Sequence, residues 1–309
     1  MAIMTGLYAM PAILGFLTYG VISGRRSLFQ LNTWRSLVSW FLDPSRTLNY
    51  LLIFASLPIL MTVFVAFKAS IPMVQPFAWD VRFTEWDRLL HFGLLPWQIL
   101  QPLLGRPAIT KAIDFSYYLW FSVLWMTVIW QAWHGDRDSN TRSQFLVSFA
   151  ACWILLGVVA ATMFSSAGPV YFAAVTGPAD PYAPLIDYLQ AVNAQDSLHT
   201  VWAQDLLWQT YAVPGATRIE GISAMPSLHV SMVVLLTLVG FRTRRWLGWV
   251  YAAFAGLIFV GSVHLGWHYA LDGYAAAAGT LVIWWVSGIG VTKWRSRIGL
   301  AESPPIRHV

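Results

Sequence analysis

Residues 223–241 read Ser-Ala-Met-Pro-Ser-Leu-His-Val-Ser-Met-Val-Val-Leu-Leu-Thr-Leu-Val-Gly-Phe. Pro226 suits the first turn of a helix, because its missing N–H would have no partner there anyway. From Val230 to Phe241 nothing ionises, so a helix beginning here satisfies its backbone internally and offers almost only apolar side chains to its surroundings. That is a membrane span with a polar end, and the rest of the chain reads the same way. Of 309 residues, 57% are hydrophobic and 11% charged, against roughly 45–50% and about 25% in soluble domains. The 18 tryptophans suit a chain that meets the water–lipid boundary repeatedly, where indole rings settle. A soluble enzyme, a disordered tail and a disulfide scaffold are excluded. Cys152, the only cysteine, has no internal partner.

Crossing roughly 30 Å of hydrocarbon takes about 20 mostly apolar residues. Runs of that kind lie at about 3–23, 48–67, 112–133, 144–164, 226–241, 246–263 and 269–290, which predicts an all-α polytopic membrane protein of about seven spans. No Lys or Arg precedes Arg25, so the first run lacks the basic start of a cleaved signal and reads as a retained span. The chain then divides into residues 1–47, an extra span with a basic loop; 48–292, the membrane catalytic region; and 293–309, a basic tail. With the N-terminus outside, the inner segments hold Arg25, Arg26, Arg35, Arg46, Arg137, Arg142, Arg242, Arg244, Arg245, Lys293, Arg295, Arg297 and Arg307, 13 of the 19 basic residues. Basic loops stay in the cytoplasm, so the long 165–225 connection faces outward. The net charge of +5 is then a topology signal, and no nucleic-acid partner is expected. Within that connection Leu185, Leu189, Trp202, Leu206 and Trp208 fit amphipathic helices lying on the membrane surface.

Ionisable groups at membrane depth are costly, so those clustered at span ends are functional candidates. The first cluster is Pro226-Ser227-Leu228-His229. Amides at a helix start point outward with the positive end of the dipole and bind phosphate; Ser227 adds a hydroxyl, and His229 stands one turn in. The second is His264, His268 and Asp272, at spacings of four and four. On a helix, His268 and Asp272 lie on one face about 6 Å apart along the axis. The carboxylate can therefore fix the imidazole tautomer and leave the other ring nitrogen free to attack. Two imidazoles and a carboxylate beside an anion-binding helix end describe phosphoryl transfer, one ring as nucleophile and the other as acid for the departing oxygen. Arg218 and His264 complete the substrate-binding candidates. The scheme needs no metal and no cofactor.

Ala224-Met225-Pro226-Ser227-Leu228-His229 followed by His268-Tyr269-Ala270-Leu271-Asp272 resembles the second and third signature motifs of the type-2 phosphatidic acid phosphatase superfamily. The wording is most similar to its inositol phosphorylceramide synthase branch, and the motif-bearing match covers about 144–290. The resemblance implies a six-helix core, with the first span as an addition. It implies a phosphohistidine on His268, orientation of that ring by Asp272 and protonation of the leaving group by His229. It further implies a lipid phosphate or phosphodiester substrate and a lipid alcohol or water as acceptor; the charge-derived topology puts the site on the extracytoplasmic face of an integral membrane protein. Two departures from the hydrolase members remove cations. Arg106-Pro107 is present but Ile99 stands where their first motif has Lys, and Gly261-Ser262 replaces their Ser-Arg pair. A less cationic pocket favours transfer of a phosphodiester headgroup over release of phosphate. Phe164 to Tyr171 resembles a Pro- and aromatic-rich stretch of the phosphosphingolipid synthases.

Other readings stay open on the residues alone. His264, His268 and Asp272 are fair metal ligands, as in membrane hydroxylases, although His91, His134, His199 and His308 are scattered. Intramembrane His and Asp also relay protons in transporters. Without the second cluster, the Pro-Ser-Leu-His turn is simply a capped helix start, and His264 a hydrogen-bonded turn residue. Asp114, beside Tyr117 and Tyr118, lines an acceptor pocket or, more simply, caps its own helix. The run from Asp87-Arg88 to Pro96-Trp97 reads as a surface segment with a structural role.

Overall fold

The computed structural model describes residues 44–133, 139–212 and 221–297. The expected first span at 3–23, Arg218 and the end of the basic tail lie outside these residues. Eleven helices are described: α1 (Pro44–Val74), α2 (Asp80–Leu90), α3 (Pro96–Leu104), α4 (Pro107–Trp133), α5, α6 (Phe172–Thr176), α7 (Ala183–Gln195), α8 (His199–Ala212), α9 (Leu228–Thr243), α10 (Arg245–His264) and α11 (Ala270–Arg297). α5 runs Ser139–Ala151, continues with π-helical bonding over Cys152–Ala160 and ends at Ala161–Met163. Among the described residues there is no strand, and five helices, α1, α4, α5, α10 and α11, are long and apolar enough to cross a membrane.

α9 is the short one, with 16 residues, or about 24 Å at 1.5 Å per residue. It is also the most enclosed. Met232, Val233, Leu235, Leu236 and Val239 are all fully buried, and a helix apolar all round belongs inside a bundle. α10 packs along it, α11 and α5 close its other sides, and Ser231 Oγ meets Thr280 Oγ1 of α11 at 2.7 Å. Enclosed by protein, α9 does not have to match the thickness of the bilayer by itself.

α1 corrects an expected boundary. A span ending at residue 67 places Lys68 in a loop, whereas the helix continues to Val74. Its buried face carries Phe64 and Ile71, and the Phe64 ring meets Trp153 of α5 edge-on at 4.6 Å. The π-helical stretch of α5 sets Gly157 beside both Phe64 and Leu228, where a Cβ would stand 2.7 Å from each. A wider turn and a missing side chain at one position thus let α1, α5 and the start of α9 converge.

The segments outside the spans pack on the bundle rather than standing apart. α2 lays Asp80, Phe83, Thr84 and Asp87 inward. The expected surface helices in 185–208 are α7 and α8, and Leu185, Ile186 and Leu189 of α7 close over Gly266 in the turn between α10 and α11. Trp202 remains exposed.

Candidate active site

The start of α9 is built differently from the expected Pro-initiated turn. Ser227, not Pro226, is the N-cap, its Oγ accepting the Val230 N–H at 3.4 Å. Pro226 precedes the helix and follows a cis peptide bond with Met225. The Ser227 N–H donates to the Asp272 carbonyl at 3.2 Å, which ties the first cluster to the second through the backbone. The N–H groups of Leu228 and His229 belong to the first turn, where no partner exists within the helix. The expected anion cradle therefore narrows to those two amides.

His229 is half-buried in an aromatic cup. Its ring stacks on Tyr117 at 4.6 Å and 20° and tilts against Trp120 at 4.3 Å, while Phe121 meets it edge-on at 6.0 Å. Trp120 Nε1 donates to the His229 carbonyl at 3.1 Å. α4 supplies all three rings, so a single helix face fixes where the imidazole points. Trp120 here is a packing partner of the site rather than an interfacial anchor.

His268 is 7% exposed and stands in the turn 265–269 between α10 and α11. Its Nδ1 meets Asp272 Oδ2 at 3.2 Å, and the same oxygen accepts the Tyr269 N–H at 3.1 Å. The Ser262 carbonyl accepts the N–H of both Trp267 and His268, so the turn is pinned at ring and backbone. Burial, then the positive charge of Lys68, pulls the His268 imidazole down to about 3. The ring is neutral near pH 7, and the Ala224 backbone engages it as well; with Nδ1–H directed at the carboxylate, Nε2 is the nitrogen that would carry the lone pair. The His229 and His268 ring centroids are 6.4 Å apart. Two buried polar atoms beside this gap have no hydrogen-bond partner among the described residues, Tyr117 OH and Asp272 Oδ1.

His264, expected near the substrate, turns away. Its Nε2 meets Thr110 Oγ1 at 2.9 Å, and Thr110 also meets Tyr188 OH at 2.7 Å. Burial lets a neutral histidine serve as one link in that polar chain, which fastens α10 to α4 and α7. Among the described residues no group of three His, Cys, Asp or Glu side chains stands close enough to hold a metal.

Three carboxylates brace the segments around this site: Asp80, which the sequence does not single out, and Asp87 and Asp114, in roles other than those expected. Asp80 accepts the N–H of Ala167 at 3.0 Å and of Gly168 at 2.9 Å, and the Tyr269 hydroxyl at 2.8 Å. Asp87, two turns further along α2, accepts the N–H of Ala270 and Leu271 at 2.8 and 2.9 Å. It therefore caps α11 from another helix and holds the turn that carries Asp272. Burial outweighs those amides and pushes the Asp87 carboxyl up to about 6, and it raises Asp80 as well. Asp114 does not cap its own helix: it accepts the N–H of His199 and Thr200 and so caps α8. The segment 87–97 is thus structural, as expected, but its Asp87 is buried. The one signal available was α2's repeat of acid and aromatic at 80, 83 and 87, which puts all three on one helix face.

The stretch Phe164–Tyr171 is the strut between the two clusters. Ser166 accepts the Ala224 N–H with its carbonyl and the Met225 N–H with its Oγ, and Val170 N–H donates to the Gly266 carbonyl at 2.9 Å. Gly168 adopts φ 96°, and a Cβ there would stand 2.6 Å from the Trp267 carbonyl. Only glycine lets the strut pass so close to the His268 turn.

Residues 81–286 match the sequence model of the PAP2 superfamily. The match takes in both histidines, Asp272, Asp87 and Asp114 and covers more than half of the chain, so the protein belongs to that superfamily, whose members are lipid phosphatases or phosphotransferases. No curated protein and no solved structure matches the chain.

Proposed function

We propose that this member of the PAP2 superfamily is an integral membrane phosphotransferase that moves a phosphoryl or phospho-headgroup moiety between lipids through a phosphohistidine on His268. The observation that carries the reading is the pairing of a neutral, carboxylate-oriented His268 with His229 across 6.4 Å, beside the open amides of a helix start. In the first step Nε2 of His268 bonds to phosphorus as the bond to the leaving alcohol breaks, and His229 gives that oxygen its proton. In the second step an acceptor hydroxyl gives its proton back to His229 and attacks phosphorus, and the N–P bond breaks. Asp272 stabilises the charge that His268 acquires in between. The helix dipole and the Leu228 and His229 amides receive the phosphoryl oxygens.

A lipid alcohol such as ceramide or diacylglycerol is the acceptor in this reading, in the manner of an inositolphosphotransferase, and the site opens on the extracytoplasmic side. Ile99 and Ser262 stand where the hydrolases carry cations, which suits a phosphodiester of single charge. The second reading, release of phosphate to water from a lipid monoester such as phosphatidic acid, uses the same residues and differs only in the acceptor.

Purified protein in detergent with EDTA, offered phosphatidic acid, a polyprenyl phosphate and phosphatidylinositol with and without ceramide or diacylglycerol, separates the two. New phospholipid that appears only with a lipid acceptor supports transfer; free phosphate without one marks a phosphatase. No turnover with EDTA, restored by zinc or iron, would overturn the phosphohistidine scheme.

A further inference from the structure

His268 is neutral near pH 7, the two amides carry only partial charge, and the proton that His229 brings is spent on the leaving oxygen, yet the group they are to hold is an anion brought into a largely buried site. Neutralisation by a nearby cation is the ordinary answer to that cost. Gly261 and Ser262 place none on α10. A Cβ at Gly261 would already stand 3.0 Å from Ile113, and the Ser262 hydroxyl is turned to the Phe259 carbonyl at 2.7 Å. Arg82 lies over the Trp79 ring at 5.2 Å.

α1 supplies what α10 does not. Phe64, Lys68 and Ile71 fall at i, i+4 and i+7, on one helix face, and both Phe64 and Ile71 are buried. Phe64 lies level with Leu228, as the shared crowding at Gly157 shows. One turn further along, the backbone at Lys68 and Ala69 packs so closely on Gly221 that a Cβ there would overlap the Lys68 carbonyl. α1 therefore flanks the 221–229 segment from its approach to the first turn of α9, with Lys68 on the facing side. Lys68 is half-buried, and its charge acts on both His229 and His268. The apolar stem of a lysine packs well beside Phe64 while its ammonium stays in a polar gap.

We infer that Lys68, contributed by the helix that precedes the matched family region, is the cation that holds the substrate phosphate against the His229–His268 pair. The inference rests on the proposed phosphoryl-transfer reading and deepens it. One ammonium balances the single negative charge of a phosphodiester and leaves a monoester dianion half-compensated, which agrees with headgroup transfer.

The test uses the full chain in detergent and two readouts. One is the KM and kcat for the lipid phosphate or phosphodiester turned over in the assay above. The other is the orthovanadate concentration that raises the thermal midpoint half-maximally. Lys68→Met is expected to raise KM and weaken orthovanadate together by roughly 10- to 100-fold, the scale of one lost charge-assisted bond, and Lys68→Arg to stay within about threefold of the wild type. If Lys68→Met does not elute as a single species, Lys68→Gln takes its place. A loss of kcat and thermal stability with KM and orthovanadate binding unchanged marks a structural role and overturns the inference. So does Lys68→Arg failing as badly as Lys68→Met. Wild-type turnover that is indifferent to Lys68 overturns the inference and leaves the function standing. A wild type that neither turns over any of the lipids nor binds orthovanadate overturns both.

Discussion

At the end of the bundle that carries His229 and His268, four buried carboxylates accept backbone amides. Asp80 holds Ala167 and Gly168, Asp87 holds Ala270 and Leu271, Asp114 holds His199 and Thr200, and Asp272 holds Tyr269. At the opposite end the helices part around a cleft of about 710 Å³ lined by Asn140, Gln144, Arg242, Trp284 and Lys293, and Trp246, Trp249, Trp285 and Trp294 are exposed. The difference follows from the backbone. Regular helices satisfy their own amides, so helix packing is enough where nothing but helices meet. The 165–171 strut and the 265–269 turn have no such ladder, and carboxylates replace it, while the 221–227 approach hangs on Ser166 and on the Asp272 carbonyl. Charge-assisted bonds of this kind are worth about 1.5–3 kcal/mol each. They also fix positions, which matters for reacting groups that lose rate when displaced by about 1 Å.

The sharpest break between the two ends is expected at the reacting groups. His268→Ala should lower kcat/KM by at least about 10³-fold with the protein still monodisperse and its thermal midpoint near the wild-type value. Retention of a few per cent of the turnover would remove His268 from the chemistry. Asp272→Asn should cost about 10²- to 10³-fold, because the amide can present its NH₂ to Nδ1 and reverse the tautomer. A smaller effect on kcat than that of Asp80→Asn would show that Asp272 works as one more backbone clamp.

The clamps come next. Asp80→Asn and Asp87→Asn should each lower kcat by roughly tenfold and lower the thermal midpoint, since an amide accepts with one oxygen and carries no charge. Asp87 adds a pH signature. Its folded-state pKa, about 6, is raised above the ordinary aspartate value of 3.8, so the native state holds the proton more tightly than the unfolded chain does. The stability this contributes is fully present below about pH 4 and is lost as pH rises through 6. Measured against Asp87→Asn, which does not titrate, the wild type should therefore lose thermal stability between about pH 4 and 6. A difference that grows with pH over that range would mean that the carboxylate, not the acid, is the form the fold favours.

The membrane helices and the two clusters were legible because each leaves a local mark: a run of apolar residues with almost nothing charged, and histidines and an acid at spacings of four. α1, α4, α5, α10 and α11 all fall on expected runs. What was not legible depends on which segments meet. Asp87 looks like any surface acid until α2 is seen against α11. Asp114 sits inside α4, so a cap on α8 could not be read from its neighbours in sequence. A charge ends an apolar run, so the sequence alone places Lys68 in a loop, although a half-buried helix face tolerates a lysine whose head reaches a polar gap. Pro226 was read as the first helical residue because proline is favoured there; the structure uses Ser227 as the cap, and a proline just before the cap is equally free of any need for its missing N–H. The family match, over 81–286, carries the superfamily and its coarse chemistry, while the branch-level substrate stays with the assay.

The smallest expected effect is at the opposite end. Gln144 Nε2 donates to the Trp284 carbonyl at 2.8 Å, a direct polar link there between α5 and α11. Gln144→Ala removes that donor, yet the Trp284 carbonyl lies inside α11 and keeps its own helical partner, so no acceptor is stranded. The loss should be about 1 kcal/mol or less, read as a thermal midpoint a few degrees lower, with kcat and KM within about twofold of the wild type. If Gln144→Ala instead cost activity on the scale of Asp87→Asn, the two ends would be mechanically coupled along α11. Rigidity at His268 would then be a property of the whole helix rather than of the carboxylates at its start.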